Sequence, residues 1–140
     1  MGCGALRILR AMTRYTETGF FICFLLANCL MHPGCTVDPN KLTGTWQAVA
    51  FFENGKTVSA PLDSVRLYLT NNAGYAFKSQ GYYQEAGSYR VAASYLFLED
   101  TTVVPKKERT VKVLYLSSDT LKIEMKKSGN RQVLFFKRQS

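Results

Sequence analysis

Residues 36–140 contain no cysteine and no histidine, because Cys3, Cys23, Cys29, Cys35 and the one histidine, His32, all precede them. This excludes disulfide stapling of the main body, and no Cys-X-X-Cys or His cluster remains there to hold a transition metal. Catalysis also loses its commonest general base and the commonest partner that activates a nucleophile. Neither a metal nor a cofactor is expected. A block of one charge sign is lacking too. The formal charge is +8, but Arg7, Arg10 and Arg14 lie near the N-terminus, and from residue 36 onward fifteen basic residues face nine acidic ones, a surplus of six. Scattered among acids, they argue against a nucleic-acid surface and favour an anionic ligand or surface over a cationic one.

The one long apolar run is Phe20 to Met31, FFICFLLANCLM, preceded by Arg10 and Arg14. Twelve helical residues reach about 18 Å, short of the roughly 30 Å hydrocarbon core of a bilayer, so a signal-peptide core is expected rather than a membrane span. Met12 opens a more compact leader and is the alternative start. The pair Gly34-Cys35 that follows resembles the end of a bacterial lipoprotein signal, which implies acylation of Cys35. Cys29 is the alternative, although Asn28 stands where a small residue is usual. An ordinary secretory signal with incidental cysteines is the plainer reading. Residues 1–34 are thus read as the signal, 35–41 as a polar tether and 42–140 as the folded domain.

From Leu42 the apolar pattern alternates, with turn residues every ten or so positions, as in an all-β domain. The alternation predicts strands over Thr45 to Phe52, Val65 to Thr70, Tyr75 to Lys78, Tyr82 to Val91, Tyr95 to Leu98, Arg109 to Leu116, Thr120 to Met125 and Gln132 to Arg138. In the first, Trp46, Ala48, Ala50 and Phe52 are expected on one face. Gly87, inside the fourth, marks a bend or a close approach. No segment has the length of an amphipathic helix. Short links make sequential strands pair antiparallel, and eight strands suffice to close on themselves. An eight-stranded antiparallel up-and-down barrel is therefore expected, with a Greek-key sandwich as the alternative.

Leu42-Thr43-Gly44-Thr45-Trp46, the middle Gly87-Ser88-Tyr89, Asp119-Thr120-Leu121 and the terminal Leu134-Phe135-Phe136-Lys137-Arg138 resemble, in order and spacing, a small bacterial lipocalin-like domain of the kind carried by Bacteroidetes lipoproteins. The resemblance spans residues 42–140. It implies that Gly44 and Trp46 close the narrow end of a barrel with Arg138 lying across the indole. The loop Asn54 to Ser64 is the candidate lid. The long C-terminal helix of larger lipocalins is not matched.

The pattern bears on three classes of function. In the first, the open end binds a small hydrophobic or amphipathic molecule through Tyr75, Phe77, Tyr89, Tyr95 and Tyr115, whose rings give apolar faces with an orienting hydroxyl. Against it, an eight-stranded barrel is only just wide enough for its own side chains, so the same aromatics serve equally well as filling. In the second, Tyr68, Tyr82 or Tyr83, Leu114 and Leu116 form an outer patch that meets an envelope protein or an anionic component. An enzyme is not expected: Glu99 and Asp100 are adjacent and point to opposite faces, and only Glu85 otherwise lies beside aromatics. The expectation is an exported, lipid-anchored envelope protein facing the periplasm or the cell surface.

Overall fold

The computed structural model describes residues 36–79 and 83–140. Cys29, Cys35 and Tyr82, and with them the expected acylation site, lie outside the described residues. A one-turn helix α1 (Pro39–Leu42) precedes β1 (Gly44–Glu53), β2 (Lys56–Thr57), β3 (Arg66–Leu69), β4 (Gly74–Ser79), β5 (Tyr83–Ala92), β6 (Tyr95–Asp100), β7 (Lys107–Leu116), β8 (Thr120–Lys127) and β9 (Asn130–Gln139). Apart from β2, which only extends the tip of β1, each strand pairs antiparallel with the next, and β9 returns to pair with β1. The result is the closed eight-stranded up-and-down barrel that the alternation predicts. Closure leaves every long strand with two neighbours and no exposed edge.

Inside, Trp46, Leu67, Leu69, Leu96, Leu121 and Phe136 are each at most 2% exposed and form the centre of one continuous core. Two irregularities decide which residues reach it. Pairing between β1 and β9 slips between Ala48 and Ala50, so Val49 bulges outward at 52% exposure. A strand repeats every two residues, so one extra residue reverses the faces beyond it. Phe51 therefore packs against the core, and Phe52 stacks outside on Phe135 with ring centroids 5.3 Å apart. This corrects the expectation that Ala50 and Phe52 share the face of Trp46. A second slip lies between Val113 and Tyr115 in β7. It leaves Val111 and Val113 inside, turns Leu116 back toward the core and leaves Tyr115 outside at 55% exposure.

β3 pairs with β1 only from Gly44 to Gln47, so the rest of β1 needs another partner on that side. The Asn54–Ser64 loop supplies it. Val58 donates its N–H to the Phe51 carbonyl at 2.9 Å, and the Gln47 amide donates to the Leu62 carbonyl at 2.7 Å while Arg66 donates to the Gln47 side-chain oxygen. Leu62 packs against the core, so this loop is fastened along the barrel wall and is not a free lid.

Gly87 is where β5 comes closest to β6. A Cβ there would stand 1.9 Å from the Glu99 carbonyl oxygen, so only glycine allows the strands to approach this closely.

Candidate functional site

The two ends of the barrel differ, and the sequence explains each. At one end the indole of Trp46 is fully buried and donates through Nε1 to the Leu42 carbonyl at 2.8 Å. Arg138 stands directly opposite Trp46 in the β1–β9 register, with its guanidinium carbon 4.2 Å from the ring centroid. The same guanidinium donates to the carbonyls of Lys41, Thr43 and Ser118. It ties α1, the start of β1 and the β7–β8 turn into one plug. Gly44 has φ +142°, and a Cβ there would fall 2.3 Å from Arg138 Nη1, so any side chain would displace the guanidinium. Of the barrel-closure residues implied by the lipocalin-like resemblance, Arg138 thus meets both Trp46 and Gly44.

At the other end lies a cavity of about 320 Å³, lined by residues that include Tyr75, Glu85, Leu98, Asp100, Val103 and Arg109. One row of strand pairing builds its floor: Tyr75 pairs with Gly87, and Gly87 with Asp100. Phase explains the polar wall. Glu85 shares the inward phase of Tyr89 and Val91 on β5, and Arg109 that of Val111 and Val113 on β7. Glu85 is 5% exposed, and its carboxylate accepts from Arg109, whose side chain remains 42% exposed toward solvent. Asp100 is buried and accepts from the backbone N–H and the hydroxyl of Thr102. These two hydrogen bonds, the hydroxyl's first, hold its carboxyl below the usual range. Glu99 points outward to Lys106 at 2.8 Å, so the neighbouring acids do face opposite ways.

Of the five aromatic candidates, the structure brings three to the interior. Tyr75 lines the cavity, Phe77 packs on the core, and Tyr89 is buried with its hydroxyl donating to the Thr70 carbonyl at 3.0 Å. Tyr95 and Tyr115 are on the outer wall, 40% and 55% exposed, and belong to no interior site. Tyr95 precedes the inward pair Leu96 and Leu98, which fixes its face, and Tyr115 is turned out by the β7 slip. Sequence reasoning missed Arg109, and with it the ion pair. The available signal was a charged residue on an inward phase.

The outer patch has a different membership from the one expected. Leu116 packs inward, and Tyr68 lies under Lys78 with the ammonium 5.6 Å from its ring. The apolar outer face is formed instead where β1, β8 and β9 meet, by Phe52, Val133 and Phe135. They border a shallow groove of about 190 Å³, with Lys122 4.5 Å above the Phe135 ring. Lys112, Lys122, Lys126, Arg131 and Lys137 share the outer phase of this wall with Glu124, which Arg131 binds. Among the described residues no group of three or more His, Cys, Asp or Glu is arranged to hold a metal ion.

No protein-family model matches the chain, and neither does any curated protein sequence. Among solved structures, a lipocalin-like protein from Bacteroides uniformis superposes with a TM-score of 0.54 at 19% identity, covering 71% of this chain and 99% of that one. At that identity the likeness establishes the fold and leaves the ligand open.

Proposed function

We propose that this lipocalin-like barrel is an exported, lipid-anchored envelope protein that binds a small apolar or amphipathic molecule at the end opposite Trp46. The observation that carries the reading is the division of the interior. Side chains fill the barrel from Trp46 through its middle, whereas about 320 Å³ stays open beside Tyr75, Leu98 and Val103. That volume lies at the small end of the range for ligand pockets, so the occupant is compact rather than a full-length lipid. Tyr75, Leu98 and Val103 give it apolar contact, and the Glu85–Arg109 pair and Asp100 give it polar partners that fix its direction. The reading includes no catalytic step. Both buried carboxylates are engaged, Glu85 by Arg109 and Asp100 by Thr102, and Asp100 is acidified, the reverse of a carboxyl tuned as a general acid.

Export and anchoring rest on the leader, with Cys35 as the acylated residue. Mass spectrometry of the mature protein from membranes, beside a Cys35→Ala form, tests this: acyl chains on an N-terminal cysteine, lost in the variant, support it. For the cavity, ligand-observed NMR with octanoate and octanol is the direct test. Binding that disappears in Leu98→Arg and persists in Phe135→Ser supports the proposal. No binding of either probe, or binding indifferent to Leu98→Arg, rejects it.

A second reading is favoured by the outer groove. Phe52, Val133 and Phe135 under Lys122 and Arg131 combine apolar contact with positive charge, as an anionic envelope component would require. Association with an acidic polysaccharide that weakens with salt and with Phe135→Ser would favour this interaction module over the carrier.

A further inference from the structure

From Val37 onward the run expected to be a polar tether is fastened to the barrel. Val37 donates its backbone N–H to the Ala93 carbonyl at 3.0 Å, and its side chain packs against the core. Asp38 caps α1 by accepting from the Asn40 N–H at 3.0 Å, Leu42 is fully buried, and Arg138 grips the carbonyls of Lys41 and Thr43. Val37 and Leu42 are the two apolar residues of the segment, and burying them outweighs the polar composition that suggested a tether. Only Thr36 separates this fastened point from Cys35 in the sequence. Two residue steps span about 7 Å at most.

Resting on the reading that Cys35 carries the acyl chains, we propose that the Trp46 end of the barrel is its membrane-facing surface and that the cavity opens away from the bilayer. Geometry makes these alternatives exclusive. Ala93, the docking point of Val37, and Ser118, gripped by Arg138, lie in the β5–β6 and β7–β8 turns. The Thr101–Lys106 loop beside the cavity lies at the opposite ends of β6 and β7. Eight-residue β8 runs about 25 Å, which at the roughly 40° tilt of barrel strands sets these ends about 18 Å apart along the axis, more than twice the reach of the link. A dozen flexible residues would let the barrel tumble, but two do not.

The chemistry of this end suits a headgroup layer. Its exposed turn residues include Asn71, Asn72, Ala92, Ala93 and Ser118, with Lys41 beside them, and the charge of Asp119 is matched by Lys137 at 3.0 Å. Asp38 offsets Lys41, and such a polar surface without excess negative charge can approach phosphate-bearing headgroups, while the acyl chains supply the binding strength. It follows that the cavity exchanges its ligand with the aqueous side rather than with the membrane that holds the protein.

The cysteine-free barrel makes the test clean. The full chain, processed in cells and confirmed by mass spectrometry to be acylated, would carry Ser118→Cys or Lys127→Cys, labelled with a fluorophore. It would then be reconstituted into phosphatidylethanolamine–phosphatidylglycerol vesicles bearing a headgroup nitroxide. Quenching should be about threefold or more stronger at position 118 than at 127, given their separation along β8. A flexible ten-residue insertion between Thr36 and Val37 should erase the difference. Equal or reversed quenching in the acylated protein overturns the orientation. A difference that survives the insertion overturns the role given to the short link. A mature protein without acyl chains overturns the anchor reading and the orientation with it, and the mass spectrum tells that failure from the others.

Discussion

At the Trp46 end, an indole, a guanidinium and a one-turn helix interlock around backbone carbonyls, and the residues involved tolerate almost no change of shape. At the other end, the same set of strands surrounds a cavity walled by an ion pair and a short loop. The difference comes from how backbone groups are satisfied. Arg138 reaches three backbone carbonyls, those of Lys41, Thr43 and Ser118, whereas at the cavity Arg109 donates to a side-chain carboxylate, that of Glu85. A fold that invests its packing at one end can leave the other free to receive a molecule, provided the closed end carries the stability.

The largest effects are therefore expected at the closed end. Trp46→Ala removes the largest fully buried side chain and should cost about 3–5 kcal/mol, seen as a lowered denaturation midpoint. Gly87→Ala, in the row that floors the cavity, measures a backbone clash rather than the chemistry of the mouth: its Cβ meets an unyielding carbonyl, for a loss of about 3 kcal/mol by the same readout. Arg138→Met keeps apolar contact with the indole but leaves three carbonyls without their donor, and about 2 kcal/mol should go. At the mouth, Arg109→Gln removes the cationic partner of the buried Glu85 carboxylate. Because the Arg109 side chain is 42% exposed, water screens much of this, and the cost should be only about 1 kcal/mol. The double change Glu85→Gln with Arg109→Gln should recover part of that loss, since neither partner is left charged alone. A mouth variant as damaging as Trp46→Ala would break the contrast.

The smallest effect is a pH dependence at the closed end. Asp119 is held at about 2, below its ordinary 3.8, first by the hydrogen bond from Lys137 and then by those with Ser117 and Thr120. A depressed carboxyl stabilises the fold fully above its unfolded value, and the contribution is lost as pH falls through the folded one. Stability should thus decline between about pH 4 and pH 2, and Asp119→Asn should flatten that part of the profile in acid-denaturation measurements.

The sequence made the strand count, the order and the closure legible because each rests on alternation and short links, which are local signals. The Trp46–Arg138 contact was legible only through the spacing of the lipocalin-like motifs. What escaped was phase. The slips at Val49 and Leu114 each reverse a strand face, and nothing in the apolar pattern around Phe52 or Tyr115 marks them, since outer and inner residues there are equally apolar. Tyr95 escaped for the same reason, because Tyr95, Leu96, Phe97 and Leu98 are all apolar and only the structure shows Leu96 and Leu98 turned inward. The Glu85–Arg109 pair escaped because its members are 24 residues apart and meet only when the barrel closes. The docking of residues 37–41 ahead of Leu42 escaped because their polar side chains outnumber Val37, the one that packs on the core.

The contrast between the two ends is tested most directly by native-state amide hydrogen exchange on residues 36–140. Amides of Trp46, Ala48 and Arg138 should exchange only through global unfolding and share one opening free energy, whereas those of Thr101, Thr102 and Arg109 should open through smaller local fluctuations. Equal protection at the two ends, or faster exchange at Trp46 and Arg138 than around the cavity, would contradict the account of a barrel closed at one end and receptive at the other.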